Sequence, residues 1–373
     1  MITGWTTCLT YETTSRLGFE HFDHLLDEMA EHGMRRLTVM TASHYHFDLV
    51  NHGIAWPVRN RRLEPLVDRR AVNAEPRTEF LSRLLPKAHR LGIEVFFEVK
   101  YAGMEGIEES YPGIQVWTAR DGRSHADHAD VGHDAERDVK RRRLRLGHIC
   151  HDCDIAQRFM TDQLTDLLEF YPEVDGIVME WPGYPGEGCY CASSRAAFLR
   201  DTGTELRDAP ESARLDWQNG RVRDVLRELS RLVRRDRPSR AFGLYTGFSP
   251  ADRDIGRSQD HRGHRIDTLT RAGIDFAMPY CEGRHREREE QEIVRVMDYL
   301  SPLPCYVHCV VRRTPPAGYP LPPADPAYIR RIVRGLLEHG RTMGGRFVGM
   351  SFFNEVKIPA ENRAAVYEAI TGA

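Results

Sequence analysis

Lysine is nearly missing from this chain: of 52 basic residues only four are lysine, so arginine-rich runs such as 227–240 are a general habit and not a local signal. Neither sign of charge is in surplus, since 55 acidic residues leave a formal net charge of -3. Tracking a phosphate backbone needs a concentrated positive footprint, so the balance argues against nucleic acid as the main partner. Long apolar runs are missing as well: none approaches the roughly 18 consecutive residues that span a bilayer. The opening MITGWTTCLTYETT has no basic start followed by an apolar stretch, so the expectation is a cytoplasmic protein with no membrane partner. Cysteine is sparse at eight in 373 residues, which suits reduced thiols and excludes a disulfide scaffold.

What the chain does contain is an ordinary globular balance, 41% hydrophobic and 29% charged, with length enough for a large core. One pattern repeats: a helical stretch, a short break that often holds glycine, then a compact β-branched or aromatic run. In FEHFDHLLDEMAEHGMRRLTVMTAS, Phe19, Phe22, Leu25, Leu26 and Met29 share a helical face, Gly33 stops the helix, and Leu37 to Thr41 reads as a strand. The next unit puts Leu81, Leu84, Leu85 and Leu91 on a helix that Pro86 should kink or divide, followed by a strand from Ile93 to Lys100. A third has Asp154 as N-cap, Ile155, Phe159, Leu164, Leu167 and Leu168 on its apolar face, and a strand from Val174 to Glu180.

Further strands are expected within 240–248, 272–283, 304–311 and 345–356, and a first one from Trp5 to Tyr11. Eight short strands alternating with helices predict an α/β fold, a (β/α)8 barrel with elaborated loops, as a single domain over 1–373. An open doubly wound sheet is the alternative, but the loop after its first strand, TTCLTYETT, has no glycine-rich phosphate cradle. The polar stretch at about 102–147 reads as a long insertion after strand 3, on the face that carries active sites in barrels.

Such a barrel gathers its chemistry where the strands end, and these ends are polar. Strand 2 ends toward His44 and His46, strand 3 in Glu98 and Lys100, strand 4 in Glu180, Trp181 and Tyr184. Strands 5 to 8 end in Tyr245, in Tyr280 with Glu282, in His308, and in Asn354 with Glu355. Alternation sends Glu98 and Lys100 inward together, either as part of a site or as a pair that only orders the barrel. A carboxylate beside aromatic rings suits a sugar: the rings cover its apolar faces while the carboxylate acts as acid, base or nucleophile. Glu180 is therefore the first catalytic candidate. Glycoside hydrolysis needs a second carboxylate, and Glu282 and Glu355 are the candidates, Glu355 being preferred for Asn354 beside it and Phe352 and Phe353 before it. His44, His46, Glu98, Lys100, Trp181, Tyr184, Tyr245, Tyr280, His308 and Asn354 are expected to bind the sugar.

The segment from His148 to Phe198 resembles the hypothetical glycosyl hydrolases of the fucosidase-like and β-galactosidase-like barrels. The resemblance rests on Cys150, the Tyr171 to Ile177 lead-in to strand 4, Glu180, Cys189, Cys191 and Phe198, with Ser194 standing where the pattern has a third cysteine. It implies a (β/α)8 barrel with a carbohydrate-active site. In fucosidase-like barrels the carboxylate ending strand 4 is the nucleophile; in β-galactosidase-like barrels a glutamate there is the acid/base and the second glutamate follows strand 7. Strand 7 here offers His308 and no carboxylate.

The expectation is thus a glycoside hydrolase using two carboxylates, retaining in stereochemistry, with a carbohydrate substrate, no cofactor, no metal, and room for a homo-oligomer. Two rivals stand beside it. One is a metal-dependent sugar isomerase or hydrolase using His44, His46, Glu180 and His308; the other is a non-catalytic carbohydrate-binding barrel. Cys150, Cys153, Cys189 and Cys191 could supply thiolates to a zinc ion, but Ser194 removes one donor and free thiols are expected.

Overall fold

Trp5 and Thr6 are neighbours in sequence and point to opposite sides of one strand. Trp5 sets its ring edge-on against Phe352 and Tyr367 in the helical layer, whereas the Thr6 hydroxyl meets that of Ser351 inside a barrel. In the computed structural model, which describes residues 1–8, 11–43, 53–67, 77–100, 104, 106–123, 149–180, 182–184, 188–247, 254–281, 289–311, 324–353, 355 and 358–372, this alternation recurs in the other strands.

The barrel strands are β1 (Ile2–Cys8), β2 (Arg36–Ser43), β3 (Glu94–Lys100), β4 (Gly176–Glu180), β5 (Ala241–Gly247), β6 (Phe276–Cys281), β7 (Cys305–Val310) and β8 (Phe347–Phe353). Each pairs in parallel with its sequence neighbour, and β1 pairs with both β2 and β8, which closes the ring. The fold is a (β/α)8 barrel. A two-residue strand, Gly53–Ile54, runs antiparallel to the end of β2. The described helices are α1 (Tyr11–Glu31), α2 (Arg77–Arg90), α3 (Ile107–Ser110), α4 (Asp154–Phe170), α5 (Ala192–Thr202), α6 (Glu211–Arg234), α7 (Ile255–Arg262), α8 (Ile266–Thr270), α9 (Glu289–Leu300), α10 (Pro326–Thr342) and α11 (Ala360–Thr371).

Two cores follow from the alternation. Val95, Phe97 and Val99 of β3 join the large core between sheet and helices; Phe96 joins Val178, Tyr245, Phe276, Met278 and Tyr306 in the barrel interior. Helix ends are set locally. Gly33 and Gly92 adopt φ of 70° and 69°, which a side chain would resist, and the next amide turns back onto the helix, Met34 to Met29 at 2.8 Å and Ile93 to Ala88 at 2.9 Å.

At the N-terminal end of the barrel Arg36 lies under the rings of Phe96, Tyr306 and Phe276, its guanidinium carbon 4.2, 4.7 and 5.2 Å from their centroids. Glu94 takes two of its hydrogen bonds, at 2.8 and 3.1 Å. Each such cation–ring contact is worth about 0.5–2 kcal/mol. Together they close the floor with a layer of packed side chains.

Several local expectations need correction. Strand 1 spans Ile2–Cys8 and not Trp5 to Tyr11, because Trp5 is anchored mid-strand by Phe352 while Tyr11 already opens α1. Pro86 does not divide α2: Leu81, Leu84 and Leu85 before it and Ala88 after it are all buried, and that packing carries the helix past the missing amide. Asp154 is the first residue of α4 and not its cap, a position filled by Cys153. Within the insertion expected at 102–147, residues 106–123 form α3 and a turn whose Ile107, Tyr111, Ile114 and Trp117 are buried in the core; residues 124–148 lie outside the described part.

Candidate active site

The alternation in β3, inferred from VFFEVKY, holds, and register supplies the rest. Lys100 is the partner of Glu180 across the β3–β4 pair, so the two side chains emerge side by side at the C-terminal mouth of the barrel. The Lys100 ammonium sits 2.8 Å from Glu180 Oε2. Two residues deeper, the fully buried Glu98 also hydrogen-bonds to Glu180. Across the interior the Tyr245 hydroxyl donates to Glu98 Oε2 at 2.9 Å and lies 3.2 Å from His308 Nδ1. The Tyr245 hydroxyl thus links Glu98 to the imidazole of His308.

Protonation in this cluster follows from burial. Loss of solvent, then the negative charge and hydrogen bond of Glu180, push Glu98 well above the usual carboxylate range, against the opposing pull of Lys100 and Tyr245. Glu98 therefore holds its proton well above the pH at which an ordinary carboxyl loses it. His308 is pushed down to about 3 by burial and by the Lys100 charge, and stays neutral. The set contains an acid, a carboxylate, a fixed cation and a neutral imidazole, which is enough to bind hydroxyl groups and move a proton among them.

These shifts make stability depend on pH in both directions. A carboxyl whose folded pKa is raised contributes stability that is complete below its unfolded pKa and is lost as pH rises toward the folded one. Glu98→Gln should therefore stabilise the fold increasingly as pH rises above the ordinary carboxylate range, by up to about 1.4 kcal/mol per pH unit, read as a widening gap between the melting curves of variant and parent. A histidine whose folded pKa is lowered does the reverse. His308 and also His264, buried and held at about 4 by loss of solvent, should both cost stability as pH falls below about 6.5.

The structure brings Glu98, Lys100, Glu180, Tyr245 and His308 together and separates others from them. Glu355 is fully buried in the layer between strand and helix, on the side of Thr7 and Trp5 rather than that of Thr6. Arg363 of α11 donates to its Oε1 at 2.6 Å, His21 of α1 lies 3.1 Å from it, and Thr7 donates to Oε2 at 3.2 Å. Burial alone would raise its pKa, but the hydrogen bond from His21 and the Arg363 charge outweigh burial and hold it below the usual range. The catalytic expectation for Glu355 gives way to a structural tie between α1, β1 and α11. Tyr184 is corrected too: 2% exposed, it gives its hydroxyl to the buried Asp152 at 2.9 Å and presents nothing to a ligand. Tyr280 stands opposite His308 in register, but its side chain, like His44, His46, Trp181, Glu282 and Asn354, lies outside the described part.

Sequence reasoning missed Asp152. Its carboxylate, 4% exposed as a residue, accepts from Tyr184, from Ser194 Oγ at 2.7 Å and from Arg221 Nε at 3.2 Å. Beside it the sulfurs of Cys150, Cys189 and Cys191 lie within 4.8 Å of one another, the one group of three or more such donors among the described residues able to share an ion. Three thiolates at about 2.3 Å from a zinc ion fit that spacing. The fourth corner does not follow, because Ser194 turns to Asp152 and the Asp152 oxygens are already engaged. A zinc ion added to the protein should be stripped by EDTA, whereas Ser194→Cys, with a fourth thiolate, should retain about one per chain; elemental analysis after dialysis reads the difference.

No protein-family model and no curated protein matches the chain. Solved structures do. A β-galactosidase from the Antarctic haloarchaeon Halorubrum lacusprofundi superimposes with a TM-score of 0.66 at 14% identity, covering 100% of this chain and 58% of the other. A β-galactosidase from the psychrophilic Marinomonas ef1 gives 0.64 at 13%, covering 100% and 59%, and an endo-β-1,4-mannanase from Thermotoga petrophila gives 0.51 at 11%, covering 99% and 76%. The chain thus spans less than two thirds of the length of the two β-galactosidases. At such identities the likeness is one of fold: a barrel shared with glycoside hydrolases.

Proposed function

We propose that this protein is a glycoside hydrolase that cleaves an O-glycosidic bond with retention, using Glu180 as acid and base. One observation carries the reading: Glu180 stands at the mouth, paired with Lys100 at 2.8 Å and hydrogen-bonded to a Glu98 that burial keeps protonated. Two carboxyl groups in direct contact are closer than the ~5–5.5 Å needed to straddle a sugar, so Glu98 does not oppose Glu180. It shares a proton with it. That proton passes to the leaving oxygen as the glycosidic bond breaks, while a carboxylate on the other side forms a bond to the anomeric carbon. Water then displaces that carboxylate and its proton returns to the Glu98–Glu180 pair.

With Glu355 tied to Arg363, Glu282, one residue beyond β6, is the opposing carboxylate in this proposal. Lys100, Tyr245 and His308 orient the sugar hydroxyls. NMR of the first product formed from a series of aryl glycosides tests the stereochemistry, and retention is expected. Glu282→Ala should be inactive in water and yield a glycosyl azide when azide is added, since azide replaces the lost nucleophile. Inversion in the first product would overturn the assignment. A second reading, a barrel that binds carbohydrate without cleaving it, draws on His308 standing where a carboxylate would be needed on β7; saturable binding with no turnover across the series would favour it.

A further inference from the structure

Four arginines, Arg120, Arg207, Arg214 and Arg257, line one recess of about 270 Å³. We infer that this recess is an oxyanion-binding site for a sulfate or phosphate group. In a chain with a net charge of -3 such a concentration of positive charge runs against the average, and it arises from segments far apart in sequence. Arg120 follows β3, Arg207 and Arg214 follow β4, and Arg257 follows β5, so the recess opens on the same face of the barrel as Glu180. Among the lining residues Glu211 is the one carboxylate, and it holds His261 at 3.1 Å and Arg257 at 3.5 Å.

The groups are set for an anion in other ways. Arg120 is fixed by donating to the Arg207 carbonyl at 2.8 Å. Arg214 is only 8% exposed, so its side chain is held within the wall and does not trail into solvent. The 24-residue α6 begins in this wall with Pro210 as its cap and no side-chain hydrogen bond to its first amides, so its positive end adds to the same field. The volume, room for about nine waters at ~30 Å³ each, takes one anionic group with a single ring attached, and the planar guanidinium matches tetrahedral oxyanions in pairs of hydrogen bonds. Free inorganic anion and an anionic substituent on a sugar present the same chemistry here.

Calorimetric titration at constant ionic strength separates them. Inorganic sulfate and inorganic phosphate should bind saturably to the intact protein, and the double variant Arg207→Gln with Arg257→Gln, both exposed residues, should raise Kd at least tenfold while its circular dichroism is unchanged; Arg214→Gln should do so again if it folds. Galactose 6-sulfate binding tenfold tighter than inorganic sulfate, with no binding of galactose at this site, assigns the recess to a substituent of a sugar, and equal binding assigns it to the free anion. Glu180→Gln should leave all of this unchanged, so the site stands or falls apart from the proposed reaction. Absence of saturable binding, or an unaltered Kd in the double variant, would overturn it.

Discussion

Glu180→Gln should lower turnover of an unactivated glycoside by about 10²–10⁴-fold, the usual worth of a positioned acid or base, with the melting temperature little changed. The expectation is specific to the leaving group. When the aglycone is a good leaving group, such as dinitrophenolate, its departure needs little protonation, so the first step should survive and the loss should shrink. A kcat/KM for a dinitrophenyl glycoside within about tenfold of the parent, with kcat falling as the base-assisted second step slows, beside a much larger loss of kcat/KM on an alkyl glycoside, is the pattern that identifies an acid and base. An equal loss on both would make Glu180 a nucleophile or a binding group. The parent's pH profile should fall on its alkaline side as the proton shared with Glu98 is lost, a limb that Glu180→Gln removes.

The second large effect is expected far from any chemistry. Arg363→Ala leaves Glu355 fully buried without its cation, and breaking a buried pair in this way costs about 3–5 kcal/mol. Arg363 also holds Glu28 at 3.0 Å, so α1 and α11 lose a shared tie at once. The melting midpoint should drop by about 5–10 °C, while turnover measured well below that midpoint stays as in the parent. Because the Glu355 pKa is depressed in the fold, its contribution is present above the ordinary carboxylate pKa and is lost as pH falls through the depressed value. The gap between parent and variant should therefore narrow in acid. A variant that melts normally but loses turnover would return Glu355 to the site.

Much of this was legible in the sequence, and the limits have physical causes. All eight strands lie in or across the segments that hydrophobic pattern and glycine breaks mark out, because a strand covered on both faces must be apolar almost throughout. Alternation also told which side of β3 Glu98 faces. It does not tell register, and only register sets Lys100 beside Glu180 and brings Glu98 within reach of the same carboxylate. Glu355 misled for a related reason: its place beyond β8 suits a catalytic group, yet Arg363 eight residues later and His21 more than three hundred earlier claim it. Tyr184 likewise reads as a sugar platform until Asp152 is found behind it, a pairing that depends on how the loop after β4 folds back.

The ring-stacked Arg36 at the far end of the barrel bears on how any ligand comes and goes. Among the described residues that end is closed by packed side chains, so a ligand meets Glu180 from the C-terminal mouth. A polysaccharide cannot be threaded through; it can only offer a chain end or lie across the opening. Product must leave by the path that new substrate takes, and water refilling the mouth uses it as well. Traffic is therefore one-lane, and a product that lingers on Lys100 or His308 blocks its successor. Under the proposed reaction, inhibition by accumulated product, competitive with substrate, is the kinetic signature that a shared path at the mouth should leave.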